Sequence, residues 1–117
     1  MYTDPLWHLW HYDHKTNAEI EAYIEKYGNG HDMEEAQNDS PTVGEFLELA
    51  KSYPTITFHG YVVEKPRTDF RVSIEGFEIT GLTADEALDV RGAYGYADEF
   101  THEKQPDGTY TVYTWWD

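Results

Sequence analysis

The sequence predicts an α+β fold in which a four-stranded, mostly antiparallel sheet carries helices packed on one face, in the order α-α-β-β-α-β-β. Three Thr-x-x-Glu patterns, typical of helix capping boxes, each precede a run of residues compatible with a helix. Four other segments alternate apolar and polar residues with a period of two, and they form two pairs joined by turn residues. Two hairpins separated by a helix favour one antiparallel sheet with its helices on one side.

Each predicted helix begins after a capping threonine and ends at a glycine or before a proline. The helices cover residues 17–27, 43–52 and 84–91 and follow Thr16, Thr42 and Thr83. Their apolar faces are Ile20, Tyr23, Ile24 and Tyr27 in the first helix, Val43, Phe46, Leu47 and Ala50 in the second, and Ala84, Ala87 and Leu88 in the third. We expect these faces to point into the core. The acidic connector 31–39 is expected to be a solvated loop that contains at most one helical turn.

The predicted strands cover residues 55–64, 69–80, 96–104 and 109–116. Residues 65–68 join the first pair, and the turn sequence Gln105-Pro106-Asp107-Gly108 joins the second. Within the second strand the apolar positions change phase, since Val72 and Ile74 precede the change and Phe77 and Ile79 follow it. A β-bulge at Gly76 explains this change of phase.

The N-terminal segment, residues 1–15, is rich in aromatic residues and histidine, and its structure is left open. Asp4-Pro5 is typical of a helix start, whereas residues 6–12 fit an aromatic strand equally well, which would add a short fifth strand. The length of 117 residues predicts one domain over 1–117. No apolar run has the length of a membrane span and no export signal is evident, so we expect a cytoplasmic protein.

Net charge is the strongest indication of function. The chain has 23 acidic and 8 basic residues, a net charge of −15, and residues 1–58 and 59–117 carry −8 and −7. Such a surface excludes direct binding to a nucleic-acid backbone and favours a basic partner. The even distribution indicates that the folded surface itself is acidic, rather than an appended tail.

The spacing of the acids predicts a binding face. Glu21 and Glu25, and likewise Asp85 and Asp89, stand four residues apart on predicted helices, where like charges destabilise a helix by about 0.2–0.5 kcal/mol per pair. Stability alone would favour lysine at some of these positions, so we infer that a partner recognises the acids. The predicted partner-binding residues are Glu21, Glu25, Glu45, Glu48, Asp85, Glu86, Asp89, Asp98 and Glu99.

The leading hypothesis is a small acidic binding or inhibitor protein that occupies a basic site of a nucleic-acid-handling partner. In its size, acidity, aromatic content and lack of cysteine the chain is similar to phage-encoded inhibitors that mimic DNA, such as anti-restriction and anti-CRISPR proteins. This similarity is one of composition and assigns no role to any single residue. No nucleophile or phosphate-binding motif is present, so neither catalysis nor a cofactor is expected.

Two alternatives stay open. A metal-binding module or metal-dependent enzyme could use His8, His11, Asp13 and His14, and on a helix His8 and His11 would lie one turn apart. A domain of other function could owe its acidity to a saline habitat. The oligomeric state is also open, since Trp115 and Trp116 could form a homodimer interface or belong to the core.

Overall fold

A computed structural model describes residues 8–117, and this part of the chain folds into a five-stranded antiparallel sheet with three α-helices. The elements are β1 (Leu9–Lys15), α1 (Asn17–Tyr27), α2 (Val43–Leu49), β2 (Thr57–Val63), β3 (Arg71–Leu82), α3 (Ala84–Tyr94), β4 (Glu99–Lys104) and β5 (Tyr110–Trp115), with a 3₁₀ turn at Asp32–Glu34. The strand order is β1-β2-β3-β5-β4. The α+β class and the antiparallel sheet are confirmed.

The prediction of four strands is wrong, because the N-terminal segment supplies a fifth. β1 pairs antiparallel with β2, and Trp10 lies opposite Val62. The Trp10 ring meets the Tyr23 ring of α1 edge-on at 5.4 Å, so the strand is stabilised both by its backbone pairing and by the helix layer. The predicted helix start at Asp4-Pro5 lies outside the described residues.

The predicted bulge in β3 is confirmed. The partner of His59 is Gly76, whereas the partner of Gly60 is Ile74, so Glu75 is the extra residue of the bulge. The bulge restores the phase of the strand. Ile74 before it and Phe77 after it are both buried in the core.

All three capping boxes are present, with each threonine hydroxyl accepting from the backbone N–H of the glutamate three residues on. The bounds of α1 agree with the prediction, but α2 ends at Leu49 and α3 continues through Gly92 to Tyr94. The inward face of α3 was predicted correctly at Ala87 but wrongly at Ala84 and Leu88, which are both exposed. It buries Ala87 and Val90, whereas Leu88 is 57% exposed, because Tyr94 at the end of the longer helix packs on Phe77 of the core.

All three helices pack on the same face of the sheet. α1 contacts β2 and β3, α2 contacts β3, and α3 contacts β5, β4 and β3, so α2 lies in the middle of the helix layer. The buried ring of Phe46 in α2 contacts the rings of Phe58, Phe77 and Trp116. Trp116 therefore belongs to the core rather than to a dimer interface. Across residues 8–117, no helix combines the length and the apolar character that a membrane span requires.

Candidate functional site

An open groove between α1 and α2 brings together three of the predicted acids. We call it the α1–α2 groove. Its rim carboxylates are Glu21, Glu25 and Glu48, its floor residues are Ile24, Met33 and Leu47, and its volume is about 420 Å³. Glu21 and Glu25 extend from α1, and Glu48 extends from α2. Carboxylates therefore stand on both sides of the apolar floor.

Glu45 and Glu86, unlike the other predicted acids, also cap the helices on which they lie. Each side chain accepts a hydrogen bond from the backbone N–H of the threonine that caps its helix, Thr42 at 2.9 Å and Thr83 at 3.0 Å. The bonds from Thr42 lower the pKa of Glu45, since they stabilise the ionised form. Both residues are exposed and add negative charge, but they also complete the helix caps.

The acids of α3 continue the charged surface beyond α2. Asp85 and Asp89 are exposed and lie one helical turn apart. Burial, followed by the charges of Asp89 and Glu86, raises the pKa of Tyr53, which lies four residues after Leu49, the last residue of α2. The carboxylates of Asp89 and Glu86 therefore lie close enough to interact electrostatically with the segment that follows α2.

Asp98 lies in a separate cleft beside the helix layer. This cleft, about 480 Å³, is lined by Asp39, Asp98 and Asp117 with the rings of Tyr96 and Trp116. Asp98 is engaged there, since its Oδ2 accepts from the backbone N–H of Asp117 at 2.6 Å. Burial and then the charge of Glu45 raise the pKa of Tyr96, which connects this cleft electrostatically with α2.

Glu99 lies on the opposite side of the sheet, so the structure does not bring it together with the helix acids. Its partner in the β4–β5 pairing is Trp115, and two residues further along Thr101 pairs with Tyr113. The Tyr113 ring stacks on His59 at 4.9 Å, on the face of the sheet away from the helices. Side chains on this face alternate with those that enter the core.

Within residues 8–117, Glu48 alone among the nine predicted carboxylates has a lysine or arginine nitrogen within 4.0 Å. Its partner is Lys51, at 3.1 Å. By contrast, the arginines of the β2–β3 hairpin are already paired. Arg67 and Arg71 both bind Asp69, at 2.6 and 3.3 Å, so neither guanidinium group is a free cation. The helix acids thus face solvent with little local neutralisation.

His11 and His14 lie in strand β1, and His8 directly precedes that strand, so His8 and His11 do not lie one turn apart on an α-helix. His11 Nδ1 lies 3.6 Å from Glu75, and His14 Nε2 lies 3.5 Å from Asp13. In the part of the chain that the structure describes, no three histidine or carboxylate side chains are grouped so as to hold a metal ion. The metal alternative gains no support from this geometry.

Two residues of the acidic connector have roles that the sequence reasoning missed. Asp32, expected in a solvated loop, is 1% exposed and accepts from the backbone N–H groups of Asn29, Gly30 and Val72. Met33 is 50% exposed and forms part of the groove floor. The turn sequence before Asp32 was the available signal, since aspartate side chains often accept from nearby backbone N–H groups.

No protein-family model matches this sequence, and comparison with curated proteins and with solved structures likewise finds no match.

Proposed function

We propose that this chain is a binding protein whose acidic helix face occupies a basic surface of a nucleic-acid-handling partner and keeps nucleic acid away from it. We define the helix face by its exposed acids Glu21, Glu25, Glu45, Glu48, Asp85, Glu86 and Asp89. The observation that carries the proposal is that, in residues 8–117, only Glu48 of these acids has a lysine or arginine partner.

Three features support a charge-led interaction. Like charges repeat at i, i+4 on α1 and α3, where they reduce helix stability. The acids extend across all three helices, with α2 in the middle. The regular spacing of carboxylates along helices resembles the repeated charge of a nucleic-acid backbone. The similarity in composition to phage-encoded DNA mimics agrees with this function. The expected cytoplasmic location would also allow the protein to meet a nucleic-acid-handling partner.

The experiment measures whether the protein displaces a labelled duplex from a panel of purified enzymes, including restriction endonucleases and RNA-guided nucleases. A helix-face variant carries Glu21→Gln, Glu25→Gln and Asp89→Asn. A sheet-side variant carries Asp13→Asn, Glu99→Gln and Glu103→Gln, and it loses the same number of charges. Neither variant alters a helix-capping glutamate.

We expect the wild-type protein to displace the bound duplex from at least one enzyme. We also expect about 0.5 M salt to suppress this displacement by screening. The helix-face variant should lose most of the effect, whereas the sheet-side variant should retain it. Equal loss in both variants would contradict the proposal, since it would show a response to net charge alone. Salt-insensitive displacement would also contradict it.

A further inference from the structure

We propose that the α1–α2 groove is the docking site for a basic amphipathic segment of the partner protein. An apolar side chain of that segment would pack on the groove floor, and its lysine or arginine side chains would pair with the rim carboxylates. This inference rests on the proposed function and specifies the chemistry of the partner segment. The inference follows from the combination of an apolar floor with an acidic rim. A purely polar partner segment would not complement the floor, and a purely apolar one would not complement the rim.

The floor is held in place even where it is exposed. Met33 follows Asp32, whose carboxylate accepts from the backbone N–H of Val72 in β3 at 2.9 Å. Two residues later, the carbonyl of Glu35 accepts from the backbone N–H of Val43 at 2.8 Å. The half-exposed methionine is therefore presented from a backbone anchored on both sides. An exposed methionine is a suitable contact for varied apolar side chains, because it is flexible and polarisable.

Gly44 brings α2 close to this methionine. A Cβ atom at position 44 would stand 3.2 Å from the carbonyl oxygen of Met33 and 3.7 Å from its Cε atom. Glycine thus allows Met33 to pack directly against the α2 backbone, beside the buried Leu47. The floor is continuous from α2 to the connector, and Ile24 extends it to α1.

The rim can accept a cation without losing a buried interaction. Lys51 Nζ lies 3.1 Å from Glu48, and the side chains of both residues are more than half exposed. An exposed pair of this kind contributes little to stability, so an incoming lysine or arginine could displace Lys51. Glu21 and Glu25 have no lysine or arginine partner within the described residues. A second copy of this chain, with its net charge of −15, is a poor occupant of the same rim.

The test uses three labelled synthetic probes and fluorescence anisotropy at low salt. The first is a leucine–lysine peptide with leucine at i, i+3, i+4 and i+7, so that its leucines share one face when helical. The second has the same composition in scrambled order, and the third is an oligolysine of equal charge. We expect the amphipathic peptide to bind at least about fivefold more tightly than either other probe.

Three variants separate the floor from the rim. Met33→Ser should weaken binding of the amphipathic peptide about threefold to tenfold and leave oligolysine binding unchanged. The double variant Glu21→Gln with Glu25→Gln should weaken the binding of both the amphipathic peptide and oligolysine about threefold to tenfold. The double variant Glu99→Gln with Glu103→Gln should change either affinity by less than about twofold. Lys51→Gln should strengthen binding about twofold to threefold, since it removes a competing cation. Because misfolding would not increase affinity, tighter binding by the Lys51→Gln variant cannot be attributed to misfolding.

The methionine methyl signal reports the contact directly, because the chain has only two methionines and Met33→Ser identifies the resonance. A saturating amphipathic peptide should shift the Met33 methyl signal. The inference is overturned if that signal does not move or if Met33→Ser leaves peptide affinity unchanged. It is also overturned if Met33→Ser dissociates a homodimer in sedimentation. The proposed function fails separately if the rim pair and the Glu99–Glu103 pair have equal effects on oligolysine.

Discussion

Tyr12 and Gly60 lie opposite each other in β1 and β2, and the tyrosine occupies the space that a side chain at position 60 would need. The Tyr12 hydroxyl donates to the carbonyl of Ser73 at 2.6 Å, so the ring passes over the glycine to reach β3. A Cβ atom at position 60 would stand 2.7 Å from the Tyr12 hydroxyl oxygen and would also clash with the Ser73 carbonyl. This close approach links the edge strand β1 to the third strand of the sheet.

Gly60→Ala should therefore destabilise the protein by about 1–3 kcal/mol, the usual range for overpacking in a core. Gly92→Ala is the matched control, because no heavy atom lies within 4 Å of a Cβ there and the residue is inside α3. This control should stabilise the protein by about 0.5–1 kcal/mol. Urea unfolding measures both changes. Equal effects at the two positions would show that neither the Ser73 carbonyl nor the Tyr12 hydroxyl restricts position 60.

Asp32→Ala should destabilise the protein by about 2–4 kcal/mol, because the backbone N–H groups of Asn29, Gly30 and Val72 would lose their acceptor. Glu34→Ala in the same turn should change stability by less than about 0.5 kcal/mol, since its side chain is 84% exposed. Chemical denaturation distinguishes the two variants. A small effect of Asp32→Ala would mean that the connector is not anchored by this carboxylate.

His59 should make stability fall as the pH drops below 6.5. Burial lowers the pKa of His59 in the folded protein from its ordinary value of 6.5, against the opposing charge of Asp13. Between the folded pKa and 6.5 the unfolded chain binds more protons, so the free energy of unfolding rises with pH in that window. The contribution of His59 is complete above pH 6.5 and is lost as the pH falls through the folded pKa.

The comparison with His59→Phe isolates this contribution. Phenylalanine can keep the stack on Tyr113 and cover Gly76, but it does not titrate. Urea midpoints measured from about pH 5 to 8 should fall less steeply towards acid in the variant than in the wild type. The nearby contact His11–Glu75 is present in both proteins, whereas the charge of His14 also lowers the pKa of His59 and therefore adds to the effect that is measured. Identical pH profiles, or an NMR titration of His59 above pH 6.5, would refute the prediction.

Asp89→Lys should stabilise α3 by about 0.4–1 kcal/mol at low salt, because it replaces a repulsion with Asp85 by an attraction. Asp89→Asn should give roughly half of that gain, since it removes only the repulsion. About 1 M salt should reduce both gains by screening. Thermal or urea unfolding checks this, and no gain in either variant would show that the acid at position 89 is not retained at the expense of stability.

The elements with local signals were predicted well. A capping box requires residues only three positions apart, and α1 occupies the predicted range after Thr16. The phase change in β3 similarly identified the bulge at Glu75 and Gly76. The same local reasoning failed in α3, where Leu88 was placed in the core, because only the contact of Tyr94 with Phe77 shows which side of this weakly patterned helix faces inward.

The candidate site was predicted in part. The sequence identified the acids of α1 and α2, but their convergence on one groove depends on how the two helices pack. Met33 was passed over because an isolated apolar residue in an acidic connector has no periodicity. Glu99 was assigned to the binding face because charge alone does not show which side of a sheet a residue occupies, and its pairing with Trp115 places it opposite the helices.

The sequence by itself determined the net charge, the α+β class, the capped starts of the helices and the bulge, because each depends on composition or on residues close together in the chain. Only the tertiary structure decided the fifth strand, the burial of Asp32 and the meeting of Glu21, Glu25 and Glu48 around an apolar floor. These features depend on contacts between residues far apart in sequence. Tyr12 and Ser73, 61 positions apart, illustrate this, since neither residue's local sequence specifies the other.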